Sequence, residues 1–128
     1  MPEIGRYAKK PRPESTSIFL KYLSSNKRVK TIKQLSDQEF EIEKENGSTL
    51  LIYLTNIYIV SLADVHEILS VNRNVQAIVT MSAWNSYSPE AKDFCLTQEI
   101  GLYKFKEFLG AIYYDGKSFL NYCPKKDN

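Results

Sequence analysis

Only two cysteines and one histidine occur among the 128 residues. Cys95 and Cys123 make neither a disulfide framework nor a metal quartet. His66 has no cysteine or second histidine at ligand spacing, so a zinc site is unsupported. Glycine is also scarce: Gly5, Gly47, Gly101, Gly110 and Gly116 are scattered, and none belongs to a phosphate-cradling loop. No G-x-S-x-G turn sets up a serine nucleophile. The longest apolar run, Leu50 to Leu54, is strand-sized and far short of the roughly 20 residues that span a bilayer. Met1 to Arg12 is basic and lacks the apolar stretch of a secretory signal. These shortages point to a cytoplasmic protein with no membrane partner, no metal and no cofactor.

Net charge is low too, at a formal +2. Taken alone, it argues against a polyanion partner. Its distribution argues otherwise. Residues 1–33 hold nine bases (Arg6, Lys9, Lys10, Arg12, Lys21, Lys27, Arg28, Lys30 and Lys33) against Glu3 and Glu14. Residues 34–68 hold seven acids, among them Asp37, Glu39, Glu41, Glu43 and Glu45, against Lys44 alone. Such asymmetry marks either a phosphate-binding surface or a basic segment facing an acidic one within the molecule.

The length and a 43% hydrophobic content suit one soluble domain. Residues 1–14, with three prolines and no apolar period, are expected to form a basic flexible arm before a single domain over 15–128. Ser15 to Ser17 offer helix caps, and Ile18, Phe19, Tyr22 and Leu23 share one helical face. Val29, Ile32 and Leu35 suggest a second helix, ringed by Lys27, Arg28, Lys30 and Lys33. Alternation over Glu39–Glu43 predicts a strand. Asn46-Gly47 predicts a tight hairpin into Thr49–Thr55. A two-residue loop would set Ile42 opposite Leu51 and Phe40 opposite Tyr53, with residues 39–45 at the sheet edge. Ser61 and Asp64 make a capping box for a helix carrying Leu62, Val65 and Leu69. Val75–Met81 is a buried strand, and Ser88-Pro89-Glu90 starts another helix. Ile100–Tyr103 is a short strand, Phe105 to Ile112 a last helix, and Ser118–Cys123 a terminal strand. The fold class is therefore α/β: a small mixed sheet with a β-hairpin and a βαβ unit, helices on both faces.

Cys95 reads as core, Cys123 as a reduced, inert thiol, and His66 as a surface or core residue. Glu39, Glu41 and Glu43 form either a solvated edge or a metal site. The loop Ser82–Tyr87 follows a sheet strand at its carboxyl end, where open α/β sheets place ligands. There Trp84 and Tyr87 either stack on bases or cap the core. Tyr113, Tyr114, Phe119 and Tyr122 either form a patch for self-association or close the sheet edge.

Ile78-Val79-Thr80, Tyr87-Ser88 before Ala91-Lys92 and Cys95, Ile100-Gly101-Leu102-Tyr103, and Phe105 to Leu109 together resemble the restriction-endonuclease-like nucleases, the Mrr-type branch, over roughly residues 39–112. The resemblance implies an acid on one hairpin strand and an acidic-x-Lys triplet on the next. In that family the carboxylates hold Mg²⁺ and the lysine helps activate water. Here the second strand reads Leu51-Ile52-Tyr53-Leu54-Thr55, without acid or base. Glu90-Ala91-Lys92 opens a helix, where residues two apart do not face each other. Asp115-Gly116-Lys117 sits at a turn. The implied function is a catalytically inactive nuclease-like protein that binds nucleic acid, DNA before RNA. Its contacts would be Arg6, Lys9, Lys10, Arg12, Lys27, Arg28, Lys30, Lys33, Trp84 and Tyr87. Two alternatives stand beside it: a protein-interaction module or homodimer within a nucleic-acid or defence assembly, and a metal-dependent nuclease with ligands relocated to Asp37, Glu39, Glu41 and Glu43.

Overall fold

The computed structural model describes residues 11–124. Helix α1 (Pro13–Ser24) starts two residues before the serine caps, because Pro13 occupies the first turn, where a missing N–H costs nothing. Phe19 and Leu23 point into the core, while Ile18 and Tyr22 stay exposed.

The next segment corrects the expectation of a basic helix. Strand β1 (Val29–Gln34) pairs antiparallel with β2 (Glu39–Lys44). Val29 lies opposite Lys44 and Thr31 opposite Glu43, so Lys30 is an extra, bulged residue. A bulge inverts the parity of a strand. It puts Val29 and Ile32, three apart, on the same core face, which produces the helix-like spacing. β-branched Val29, Thr31 and Ile32 favour the strand.

The hairpin to β3 (Thr49–Thr55) corrects the register as well. Gly47 has a φ of 91°, its N–H donates to the Lys44 carbonyl, and the Lys44 N–H donates to the Ser48 carbonyl. The loop is thus three residues, a turn closed by a left-handed glycine. Ile42 faces Leu50 and Phe40 faces Ile52, which gathers the apolar residues of both strands on one face. Glu39, Glu41 and Glu43 share the other face with Tyr53, Leu51 and Thr49. Residues 39–45 are not the edge; β1 is, and its bulge and its lysines discourage edge-to-edge pairing.

The short β4 (Ile59–Val60) leads into α2 (Leu62–Val71), whose Ser61–Asp64 capping box forms as expected. Strand β5 (Ala77–Thr80), the short β6 (Ser86–Tyr87), α3 (Pro89–Thr97) and β7 (Gly101–Lys104) follow. β5 and β7 are parallel neighbours joined by α3, the expected βαβ unit. The five-stranded mixed sheet runs β1-β2-β3-β5-β7, with β4 and β6 paired separately. Helix α4 (Phe105–Ala111) completes the fold with α5 (Gly116–Leu120). The latter replaces the expected terminal strand: a helical turn drops Phe119 and Tyr122 together onto the ring of Tyr103. One sheet face packs Phe40, Ile52, Leu54 and Val79 against α1, α4 and α5. The other packs Ile78 and Leu102 against Val65 and Ile68 of α2 and Ala91 and Cys95 of α3.

Two neighbouring positions between α3 and β7 make opposite demands. The Ile100 and Glu99 N–H groups donate to Cys95 and Leu96 carbonyls, a paired C-terminal cap that leaves Glu99 left-handed at φ 58°. Glu99→Gly is expected to raise stability by about 0.5–1 kcal/mol, since glycine carries no Cβ penalty there but a looser unfolded chain. At Gly101 a Cβ would lie 2.6 Å from the Phe119 ring and 2.8 Å from Tyr103. Gly101→Ala should therefore cost about 1–3 kcal/mol. Urea melts of the two variants, moving in opposite directions, check both.

Candidate functional site

Strands β3, β5 and β7 run the same way, and Thr55, Thr80 and Lys104, paired in one row, end together at one edge of the sheet; β1 is parallel to them but its last residue, Gln34, lies level with Ile52, Ala77 and Gly101, three rows short of that edge. Ligands of open α/β sheets gather at such carboxyl edges. The turns beyond β3 and β5 are fastened to each other by buried polar groups. The Thr80 hydroxyl donates to the Ile57 carbonyl at 2.7 Å. The Asn85 amide lies 2.9 Å from both Asn56 Oδ1 and Thr80 Oγ1, and Asn56 Oδ1 also accepts the Ser82 N–H. Among the described residues no buried side-chain polar atom lacks a partner, which is what makes a buried network rigid.

That clamp holds residues 82–85 at both ends and leaves Trp84 at the tip, 80% exposed. Beside it the β4–β6 pairing brings in Tyr58, 65% exposed, whose carbonyl accepts the Ser86 N–H at 2.7 Å. The start of the same loop lines a groove of about 530 Å³. Met81, Ser82 and Ala83 form its wall at the end of β5, and Lys104, Phe105, Lys106 and Glu107 its wall at the end of β7 and the start of α4.

Tyr87 is half-buried. Its hydroxyl sits 2.9 and 3.0 Å from the two oxygens of Glu107, one of which also accepts the Lys104 N–H. Burial first, and Glu107 second, push the Tyr87 phenol far above its usual range. Lys92 donates to the Leu102 carbonyl at 2.7 Å, with its ammonium 3.9 Å from the Tyr103 ring centroid and 5.3 Å from that of Tyr87. Desolvation lowers its pKa against the pull of Glu107. This cluster braces α3 against β7 and supports the groove wall from behind.

The other expected contacts divide between two places. Arg12 is the N-cap residue of α1, between Pro11 and Pro13, which line a cleft with Gln34; Lys33 is exposed opposite Glu41, in the row of Leu51, so neither lies at the carboxyl edge. Lys27, Arg28 and Lys30 are exposed at the start of β1, where Arg28 lies 5.4 Å from the Tyr113 ring. Lys30 and Lys33 stand three residues apart along β1, roughly 10 Å, and Lys27 is about twice as far from Lys33. Arg6, Lys9 and Lys10 lie outside the described residues. His66 is exposed against Phe94, and Cys95 is buried, its thiol pushed up to about 11 by desolvation. Phe119 and Tyr122 cover Tyr103, while Tyr113 and Tyr114 remain exposed.

The acidic residues do not fit the metal site that the nuclease resemblance implies. Across from Glu39, Glu41 and Glu43 stand Tyr53, Leu51 and Thr49, none of them a carboxylate. The oxygens of Glu39 are bonded to Ser36 and Asn72. Among the described residues no three His, Cys, Asp or Glu side chains converge on one point.

Tyr58, Lys104 and Lys106 did not emerge from sequence patterns. The two lysines were within reach: they follow the second strand of the same βαβ unit, so they had to emerge beside the Ser82–Tyr87 loop. Tyr58 was not, because only the β4–β6 pairing places it.

No family model, no curated protein and no solved structure matches this chain. Among the described residues no helix is long and apolar enough to cross a membrane.

Proposed function

We propose that this protein binds nucleic acid without cleaving it, in a restriction-endonuclease-like frame whose carboxylate–lysine site is missing. One observation carries the reading: a nearly fully exposed tryptophan on a clamped loop, next to a groove walled by Lys104 and Lys106. An indole held in water by a rigid turn costs solvation that a core residue would not, and stacking on a base recovers it. Lysines alongside supply the salt-sensitive attraction for phosphates. What supports the frame is coarse: a mixed sheet in which a hairpin precedes a helix, a βαβ unit and a closing helix. The strand that would carry the catalytic triplet has its side chains committed to packing or, at Thr49, uncharged. DNA is the first ligand to test, and no membrane partner enters the reading.

Trp84 is the single tryptophan, so its fluorescence reports binding directly. Trp84→Ala should lose about 1–3 kcal/mol of binding, measured by anisotropy of a labelled oligonucleotide at low salt. Plasmid incubated with Mg²⁺ or Mn²⁺ should stay intact. Unchanged affinity in the variant, or cleavage by the wild type, would overturn the proposal.

The amino edge favours a second reading. Exposed Tyr113 and Tyr114 beside Arg28 have the composition of a protein-docking patch. Sedimentation of wild type and Tyr113→Ser/Tyr114→Ser tests for a second copy there.

A further inference from the structure

We infer that the nucleic acid bound at the carboxyl edge is single-stranded; this rests on the nucleic-acid reading above. Three features of the edge distinguish single strand from duplex. The first is what protrudes. Trp84 and Tyr58 offer two aromatic rings on adjoining segments tied together by the Ser86–Tyr58 hydrogen bond. A ring gains by stacking only where a base has an open π-face, and duplex bases already stack on each other. The second is what is withheld. Reading a duplex from its grooves takes amide or guanidinium groups aimed at base edges. Of the two asparagines here, Asn85 commits its amide N–H groups to Asn56 and Thr80, and Asn56 commits its amide oxygen to Asn85 and the Ser82 N–H, so neither has a complete amide to offer a base edge. The third is size. A groove of about 530 Å³ is in the range of small-ligand pockets and admits a nucleotide, not a double helix.

The charges agree with one strand. Lys104 and Lys106 both line the groove, enough positive charge for one phosphate backbone. Glu107, on the same wall, has its oxygens engaged by Tyr87 and the Lys104 N–H. A strand would thread between the Ser82–Ala83 wall and the lysines and turn its bases outward onto Trp84 and Tyr58. Every base presents a π-face, so the preference is for strandedness and not for sequence.

The test titrates the full chain with a twenty-nucleotide oligo-dT and with the same strand annealed to oligo-dA, following Trp84 fluorescence and the anisotropy of a labelled strand at matched salt. The single strand is expected to quench Trp84 and to bind roughly tenfold tighter than the duplex. Trp84→Phe should keep most of that preference, and Tyr58→Ala should reduce single-strand binding while leaving duplex binding unchanged. Equal or tighter binding of the duplex overturns the single-strand inference and leaves nucleic-acid binding standing. Binding of neither overturns both.

Discussion

Phe19→Ala is expected to cost about 3–5 kcal/mol, the largest loss of any substitution considered for this fold. The ring is fully buried and sits 5.0 Å from Phe40 of the sheet, 6.0 Å from Phe105 and 6.4 Å from Phe108 of α4. It thus pins α1 to both the sheet and the helix beyond β7. Truncation removes transfer energy and leaves a cavity that three other aromatic rings are too stiff to fill. A domain of this size has roughly 5–15 kcal/mol in total, so the variant should be marginal at 37 °C. The urea midpoint measures the loss, with Phe19→Leu as the milder control. A loss under about 1 kcal/mol would mean that α1 does not pack where it is placed.

The second large effect lies at the opposite edge. Lys44 is buried at the end of β2, its side chain 5% exposed, and its ammonium donates to the Tyr114 carbonyl at 2.7 Å and to Asp115 at 2.9 Å. Asp115 also accepts from Asn46 and Ser48, tying the hairpin to the start of α5. Asp115→Ala strands the ammonium and should cost about 2 kcal/mol, below the 3–5 typical of wholly buried pairs because Asp115 is 47% exposed. Lys44→Met should cost less, since Asp115 can then be hydrated. The Lys44 hydrogen bond, reinforced by those of Asn46 and Ser48 against desolvation, holds the Asp115 carboxyl below its ordinary value. Its stabilising contribution is therefore complete above the unfolded carboxyl pKa and disappears as pH falls through the lower folded one. Urea midpoints of wild type and Asp115→Asn should converge as the pH is lowered through the acid range. A gap that stays constant would deny Asp115 this role.

Elements fixed by local chemistry were legible in the sequence. The Ser61–Asp64 box, Ser88-Pro89 and the alternation from Glu39 to Glu43 each carry a cap or a period that tertiary packing did not override. What escaped depends on one residue out of phase. The bulge at Lys30 makes a strand look helical, and Gly47 lengthens a hairpin loop by one residue and so moves the whole register. At the carboxyl end, Phe119 and Tyr122 serve both a strand and a helix pattern, and only the ring of Tyr103 decides between them.

The candidate site was half legible for the same reason. Trp84 follows from strand order alone, whereas the grouping of the bases requires knowing that residues 29–34 form a strand. As a helix they would make one basic surface; as the edge strand β1 they spread from Lys27 to Lys33 on the side of the sheet away from β7, where Lys104 and Lys106 lie.

That separation supplies the most direct measurement of the central claim, that the carboxyl edge is the binding surface. The affinity of a labelled single strand is followed from low to moderate salt for wild type, Lys104→Ala/Lys106→Ala and Lys27→Ala/Arg28→Ala/Lys30→Ala. The carboxyl-edge variant should bind more weakly and flatten the log–log salt slope by about 1.4, as two lost phosphate contacts require. The amino-edge variant should follow the wild type. The reverse pattern, with the slope falling only in the amino-edge variant, would contradict the account.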